Sequence, residues 1–160
     1  MAVIRYFLKL GNIKGESTDA KHKDEIVVLS WTWGVTQSGT MSFGGGGGSG
    51  KASFQDLSFT HHIDKATPLL LKACATGQHV PDATITVRKA GKGQLEYLII
   101  TLTDVLVTGV SMSVAEDAAT AENVSLQFAK VDLEYKPQKA GGSLDAGLHF
   151  KYDIKANKVG

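Results

Sequence analysis

The chain has 160 residues, of which 42% are apolar and 21% charged, so it is long enough for one domain with a core and is not composed like a disordered protein. Its formal net charge of +1 gives no electrostatic footprint for nucleic acid or a membrane surface. The longest apolar runs fall well short of the ~20 residues that a membrane-spanning helix requires, and a single cysteine, Cys74, excludes an intrachain disulfide.

A first strand is predicted at the start of the chain. Ile4, Tyr6, Leu8 and Leu10 share one face, and Gly11 ends the pattern. The same segment lacks the basic start, continuous apolar centre and cleavage site of a signal peptide. We therefore expect the protein made alone to remain in the cytoplasm.

A second strand, from about Glu25 to Gln37, has two different faces. One face, predicted to be core, consists of Val27, Leu29, Trp31, Trp33 and Val35. The other changes from apolar to small and polar along Ile26, Val28, Ser30, Thr32 and Gly34. The lead-in from Glu16 to Asp24 mixes acidic residues with Lys and His, which indicates a solvated surface.

A long exposed loop is predicted from Ser38 to Lys51, because five consecutive glycines cannot hold a regular element without a large entropy cost. Gly45, Gly50 and Lys51 match the spacing of a phosphate-binding loop. Ala52, however, stands where the metal-binding Ser or Thr belongs, and the following residues alternate like a strand. A flexible loop is favoured over a nucleotide site.

One helix is predicted, from Asp64 to Gly77. Asp64 or Thr67 can cap its start, Pro68 suits the first turn, and Gly77 suits the end. Its apolar stripe consists of Leu70, Ala73 and Cys74, with Leu69 at the edge. Cys74 is therefore interpreted as a packing residue.

The second half of the chain is predicted to be β structure. Ala83 to Lys89 alternates, Gly91 to Gly93 is a turn, and Leu95 to Val107 is apolar enough for a central strand buried on both faces. Asp104 in that strand is either a buried acid with a partner or already solvated, and the second is favoured. A small and acidic loop is expected from Ser111 to Glu122.

Two further strands follow. Val124, Leu126 and Phe128 occupy one parity and Val131, Leu133 and Tyr135 the other, so a bulge or a change of strand partner is expected near Ala129. Pro137 ends this strand. The last strand is half-exposed, with an apolar face formed by Leu148, Phe150, Tyr152 and Ile154.

These elements amount to about seven or eight strands and one helix in a single domain, residues 1–160. The fold class predicted is mainly β: a small antiparallel β-barrel of two packed sheets with one flanking α-helix and a long Gly-rich loop. The apolar content exceeds what one barrel face per strand requires, which favours self-association.

No catalytic or cofactor-binding constellation is found. His61, His62 and Asp64 are the only metal-ligand types close together, and the two histidines point to opposite faces if the strand continues through them. Surface or interface histidines are favoured over a metal site. H-E-x-x-H, C-x-x-C and G-x-S-x-G motifs are absent, so no enzyme activity, cofactor or metal is predicted.

Several ordered motifs resemble the Hcp family, the ring-forming tube proteins of bacterial type VI secretion. They are the stretch from Gly15 to Gln37, which contains the predicted strand with Trp31 and Trp33 (the Trp strand), and the runs SFGGGGGSGK, FQDLSFTHHIDKATPLLLKAC, TVRKAG and EYLIITLTDVLV. The likeness extends from about Ala2 to Asn157. The resemblance implies homohexameric rings that stack into a tube, a VgrG-like spike at its tip and a contractile sheath around it. It also implies effector proteins held inside the ring, and secretion through the type VI apparatus without a signal peptide.

The same resemblance assigns roles to two groups of residues. The loop that reaches the next ring would consist of Ser38, Gly39, Thr40, Met41, Ser42, Phe43, Gly44, Gly45, Gly46, Gly47, Gly48, Ser49, Gly50 and Lys51. Ser30 and Thr32 are predicted to line the lumen and contact cargo, the alternative being that they are simply sheet-surface residues.

Two other functions stay open at this point. A stand-alone binding module, with the glycine loop closing on a small ligand, predicts a monomer. A tail-tube protein of a phage-like contractile particle shares the fold and works without secretion.

Overall fold

The computed structural model describes residues 3–39, 51–91, 93–117 and 119–160, which form eleven strands and one helix. The strands are β1 Ile4–Leu10, β2 Ile26–Val28, β3 Ser30–Thr32, β4 Val35–Gln37, β5 Ala52–Phe54, β6 Leu57–His62, β7 His79–Gly91, β8 Gly93–Ser113, β9 Ala121–Tyr135, β10 Leu148–Asp153 and β11 Lys158–Val159. The helix, α1, spans Thr67–Thr76. The prediction of mainly β structure with one helix is confirmed.

The strands form two antiparallel sheets. In the larger sheet the order is β11-β10-β9-β8-β7-β1-β2, and β6 pairs with both β9 and β3. β3 follows β2 after the single residue Leu29, so the sheet curves from β1 through β2, β3 and β6 to β9. In the described ranges, no continuous ladder closes this curved sheet into a barrel. β4 and β5 pair with each other and form the second sheet, and within the described ranges neither pairs with another strand.

The core lies inside this curved sheet and under α1. Leu57 and Phe59 of β6, Val124 and Leu126 of β9, and Leu70 of α1 are almost completely buried. Alternation along each strand sends every second residue into this core. Burial of these large side chains stabilises the fold by roughly 1.5–3 kcal/mol each.

The helix begins and ends almost where the sequence predicts, but its start is capped differently. Pro68 lies in the first turn, and Gly77 adopts a left-handed φ of +67° that ends the helix. The N-cap residue is Ala66, so the prediction of a side-chain cap from Asp64 or Thr67 is wrong. The Asp64 carboxylate instead accepts a hydrogen bond from the Ala66 N–H at 2.8 Å, one residue before the helix.

The phase switch near Ala129 is a change of strand partner, as predicted. Residues 121–126 of β9 pair with β6, whereas residues 130–135 pair with β10. β8 stays paired with β9 on both sides of the switch, with Thr103 opposite Lys130 and Val105 opposite Phe128. One long strand therefore belongs to two parts of the curved sheet.

The predicted faces of the Trp strand are wrong in its first half. Ile26 and Val28 are buried, while Val27 and Leu29 are each 44% exposed. The chain bends at Leu29, between β2, which pairs with β1, and β3, which pairs with β6. Even-numbered residues face the core before this bend, and odd-numbered residues face it afterwards. Trp31 and Trp33 then pack against the core, but Val35 is exposed.

Two expectations for β8 also need correction. One face of this strand is buried, whereas the side chains on the face that carries Thr103 are exposed or half-buried. Ser111–Ser113 and Ala121–Glu122, predicted to be loop, are paired strand ends. Backbone pairing extends the ladder to Ser113 and Ala121, so the described residues between the two strands are 114–117, 119 and 120.

Candidate functional site

One side of the sheet formed by β3, β6, β9 and β8 carries small uncharged side chains. Thr32 lies opposite Ser58, which lies opposite Ser125, and a parallel row joins Ser30 to Thr60. We call this surface the polar face, and it consists of Ser30, Thr32, Ser58, Thr60, Ser111, Asn123 and Ser125. Ser30 and Thr32 are exposed, so the prediction that they face away from the core is confirmed.

Strand periodicity explains why this face is polar. The buried residues Leu57, Phe59, Val124 and Leu126 alternate with the polar-face residues of β6 and β9. Hydroxyl and amide groups both donate and accept hydrogen bonds, so the face can satisfy varied polar groups without carrying a net charge. Such a surface offers contacts without a long-range electrostatic preference.

The edge of the polar face is shaped by a bulge in β8. The register shifts between Val107 and Gly109, and the Thr108 hydroxyl donates to the Asp56 carboxylate at 2.7 Å. A Cβ on Gly109 would lie 2.8 Å from Ser125 Oγ, so a side chain at Gly109 would displace a member of the face. The sequence gives no sign of this close approach.

Beneath the polar face lies a buried polar cluster. His61 Nε2 is 2.7 Å from Glu122 Oε1, and both side chains are completely buried. The Thr67 hydroxyl, at the start of α1, donates to the same carboxylate oxygen at 2.8 Å. Glu122 was expected in an exposed loop, so this partner of His61 could not be identified from local sequence.

The segment 15–25, which we call the strap, crosses the outer side of β1 and β7. The Arg88 guanidinium donates to both oxygens of Asp19, at 2.9 and 2.6 Å. His22 stacks on the Phe7 ring with centroids 4.5 Å apart and hydrogen-bonds Glu96 at 2.7 Å. The prediction that this lead-in is a solvated surface is therefore wrong for Asp19 and His22.

The Arg88 pair also fixes the charge of Asp19. The hydrogen bonds from Arg88 hold the pKa of this carboxyl far below its ordinary value of 3.8, and backbone N–H groups of Lys21 and His22 assist. The ion pair in turn raises the pKa of Arg88. Arg88 shares its parity in β7 with Thr84 and Thr86, so the alternation of this strand gives no sign that its outer side is covered.

Exposed apolar side chains lie at both edges of the larger sheet, and others lie on α1 and in the β8–β9 hairpin. At the β2 edge, Ile4, Val27 and Leu29 are 44–46% exposed. The other edge, formed by β10, β11 and the end of β9, exposes Tyr135, Leu148, Phe150 and Val159. We call these surfaces the β2 edge and the β10 edge. The two edges differ in sequence.

The β4–β5 pair forms an arm at the base of the glycine loop. Of the predicted ring-stacking residues Ser38–Lys51, residues 40–50 lie outside the described ranges, while Ser38, Gly39 and Lys51 are exposed. Phe54 of the arm packs on Tyr152 of β10 with centroids 4.6 Å apart. Ala52 begins a strand, as expected, so the glycine run does not lead into a helix that could meet a phosphate.

A cleft of about 330 Å³ opens where the arm meets the large sheet. His79, Asp104 and Lys155 line it and pair with one another, with His79 Nδ1 2.7 Å from Asp104 Oδ1. Asp104 has a positive φ of +57° and its side chain is 38% exposed, which confirms that it is solvated. The hydrogen bond from His79 lowers the pKa of Asp104.

The histidine cluster is divided between two surfaces. His61 is buried and His62 exposed, as the alternation predicts, and His62 Nδ1 lies 3.3 Å from the Thr120 carbonyl. Among the residues that the structure describes, no three His, Cys, Asp or Glu side chains are arranged to hold a metal ion. In the same ranges, α1 is too short to cross a membrane.

Known proteins resemble this chain in both sequence and structure. A family model described as "Type VI secretion system effector, Hcp" matches residues 7–135. The protein hcp1 of Pseudomonas aeruginosa is 54% identical over 155 residues, which cover 94% of this chain and 95% of that protein.

Two solved structures show the same fold. Hcp1 from Salmonella typhimurium is 42% identical and superposes with a TM-score of 0.79, covering 99% of each chain. A type six secretion system protein is 28% identical with a TM-score of 0.93, covering 99% of this chain and 100% of that one. The likeness therefore includes nearly every element described above.

Proposed function

This chain belongs to the Hcp family of type VI secretion proteins, and from that premise we propose that it is the structural subunit of a secreted tube built from hexameric rings. The role is structural, and we propose no catalytic activity for it. In this proposal the chain acts first in the cytoplasm and then leaves the cell through the type VI apparatus. Its partners are other copies of itself, effector proteins, a VgrG-like spike and the contractile sheath.

The observation that carries the proposal is the pair of unlike apolar edges. A surface that fits a different surface on an identical chain makes head-to-tail contacts, which close into a ring when the rotation between neighbours allows it. The β2 edge and the β10 edge lie at opposite ends of the strand order. Contact between Val27 and Leu29 of one copy and Leu148 and Phe150 of the next would cover both edges.

In such a ring we assign the polar face to the lumen. The β2 edge and the β10 edge are then engaged in ring contacts, and the uncharged hydroxyl and amide groups of the polar face remain available to effectors. Thr32 lies in the row of Ser58 and Ser125, so it can contact a bound protein together with them. Repetition around a ring multiplies weak contacts into retention of cargo.

We further propose that the arm and the glycine loop, Ser38–Lys51, contact the next ring in the stack. The described part of the arm supports this role, because β4 and β5 pair only with each other and leave their outer edges free. Free strand edges and glycine-rich backbone both permit close approach of another chain.

Native mass in dilute solution, measured by light scattering or native mass spectrometry, tests the proposal most directly. We expect a species with six times the mass of one chain and ring-shaped particles in negative stain. A chain that stays monomeric at high concentration would contradict the tube and would favour a stand-alone binding module, whose ligand would then be sought at the cleft beside the arm.

A further inference from the structure

A buried ion pair lies inside the chain, separate from the surfaces that the tube proposal uses. His61 of β6 and Glu122 of β9 are directly opposite each other in the ladder, and their side chains meet at 2.7 Å on the core side. Each is completely removed from solvent. Their neighbours Thr60 and Asn123 point the other way, into the polar face.

The pair also reaches the start of α1. The Thr67 hydroxyl donates to the same Glu122 oxygen that His61 contacts. The Asp64 carboxylate lies 3.7 Å from His61 Nδ1 on the other side of the ring. Strands β6 and β9 and the first turn of α1 are therefore joined by one cluster of four side chains.

The geometry of this cluster favours a protonated imidazole. With both ring nitrogens protonated, Nε2–H donates to Glu122, while Nδ1 makes no hydrogen bond but lies 3.7 Å from the Asp64 carboxylate, so one positive charge is close to two carboxylates. A neutral ring that keeps Nε2–H would turn the Nδ1 lone pair towards Asp64. It would also leave the buried Glu122 charge without a cation, which is strongly unfavourable.

The groups that act on His61 from the surrounding elements are few. Burial on its own lowers the pKa of His61, but Asp64 and Glu122 outweigh it and raise the pKa above the ordinary value of 6.5. The Phe59 ring packs against His61 and is uncharged. The neighbours of Glu122 from the other elements are also uncharged: Thr67 on α1, and Met112, the β8 residue opposite Glu122 in the ladder. One proton on His61 thus decides the charge balance of the cluster.

We propose that His61 and Glu122 form a protonation-dependent latch that fastens the start of α1 to the sheet beneath the polar face. The latch is closed while His61 carries a proton and loosens when the proton leaves. It lies within one chain, so it acts in a monomer and in a ring alike and does not depend on the tube assignment.

The direction of the pH effect follows from the raised pKa. A group whose pKa is higher in the folded state stabilises that state fully below its unfolded pKa and loses this contribution as the pH rises through the folded pKa. Stability from the latch is therefore present below pH 6.5 and declines above it. Above that pH the folding equilibrium constant should fall by at most about tenfold per pH unit, the limit for one titrating group.

The experiment compares unfolding in denaturant at a series of pH values from acid to mildly alkaline. His61→Lys replaces the imidazole with a cation whose ordinary pKa is about 10.4, so its stability should stay level where that of the wild type declines. Glu122→Gln removes the closer of the two carboxylates, at 2.7 Å, and should also reduce the decline. His149→Gln is the matched control, since His149 also contacts two carboxylates but is 41% exposed.

Hydrogen exchange of the unmodified protein provides a second measurement that needs no variant. After correction for the intrinsic pH dependence of exchange, amide protection in residues 64–70 should decrease above pH 6.5 more than in β7. The latch would be disproved by protection that does not change with pH, or by wild-type and His61→Lys proteins with parallel stability profiles.

Discussion

At the scale of single residues, Arg88 has the clearest energetic role. Its side chain is 5% exposed and holds the 18% exposed Asp19 in a two-point ion pair between β7 and the strap. Arg88→Met should lower the free energy of unfolding by about 3 kcal/mol, because it leaves a largely buried carboxylate without its cation. Urea denaturation measures this loss.

Arg5→Met is the control for that variant. Arg5 lies opposite Arg88 in the β1–β7 ladder but is exposed, so its loss should change stability by less than about 0.5 kcal/mol. Because the pKa of Asp19 is lowered, the contribution of the pair is present above pH 3.8 and is lost only as the pH falls far below it. Equal effects of the two arginine variants would refute the role of the ion pair.

Thr32 is the residue on which the lumen assignment depends. Thr32→Gln places a longer side chain in the middle of the polar face and should reduce retention of a co-expressed effector by about tenfold, equivalent to ~1.4 kcal/mol. Native mass should show intact rings, since Thr32 is exposed and lies on the polar face, not among the exposed apolar residues of either edge.

Thr103→Gln, at an exposed threonine of β8 outside the polar face, should leave retention unchanged. If Thr32→Gln removed the rings themselves, Thr32 would belong to a subunit contact and not to the lumen.

At the scale of the elements, the two sheet edges are predicted to make the ring. Val27→Asp puts a charge on the β2 edge and should convert the hexamer to monomers, because a charge buried in an apolar contact without a partner is unfavourable. Leu69→Asp on α1 is a matched control, since Leu69 and Val27 are both 44% exposed. Native mass spectrometry at one concentration compares them, and dissociation by Leu69→Asp alone would place the contact on the helix.

At the scale of the whole molecule, electrostatics should contribute little to effector retention. The chain has a net charge of +1, and the seven residues of the polar face carry no formal charge. Retention by wild-type rings should therefore differ less than about twofold between 0.1 and 1 M salt, over which the Debye length shrinks from about 10 to about 3 Å. Co-sedimentation of rings and effector measures it, and release at high salt would indicate that charges elsewhere hold the cargo.

The sequence by itself determined the features that depend on local chemistry. Alternation predicted the strands, and Pro68 and Gly77 predicted the ends of α1. The parity change near Ala129 predicted either a bulge or a change of strand partner, and the structure shows the change of partner. Each of these follows from backbone geometry within a few residues, and the ordered motifs added the resemblance to the Hcp family.

Tertiary structure alone decided which face of a strand is covered and which distant charges meet. Periodicity divided the residues of the Trp strand into two faces but did not show which face is buried at each point. The bend at Leu29 decides this, and in β2 it is Ile26 and Val28, not Val27, that are buried. The Asp19–Arg88 and His61–Glu122 pairs join residues 69 and 61 positions apart. Such pairs depend on how strands pack and pair across the whole sheet, so no local sequence pattern shows which distant residues meet.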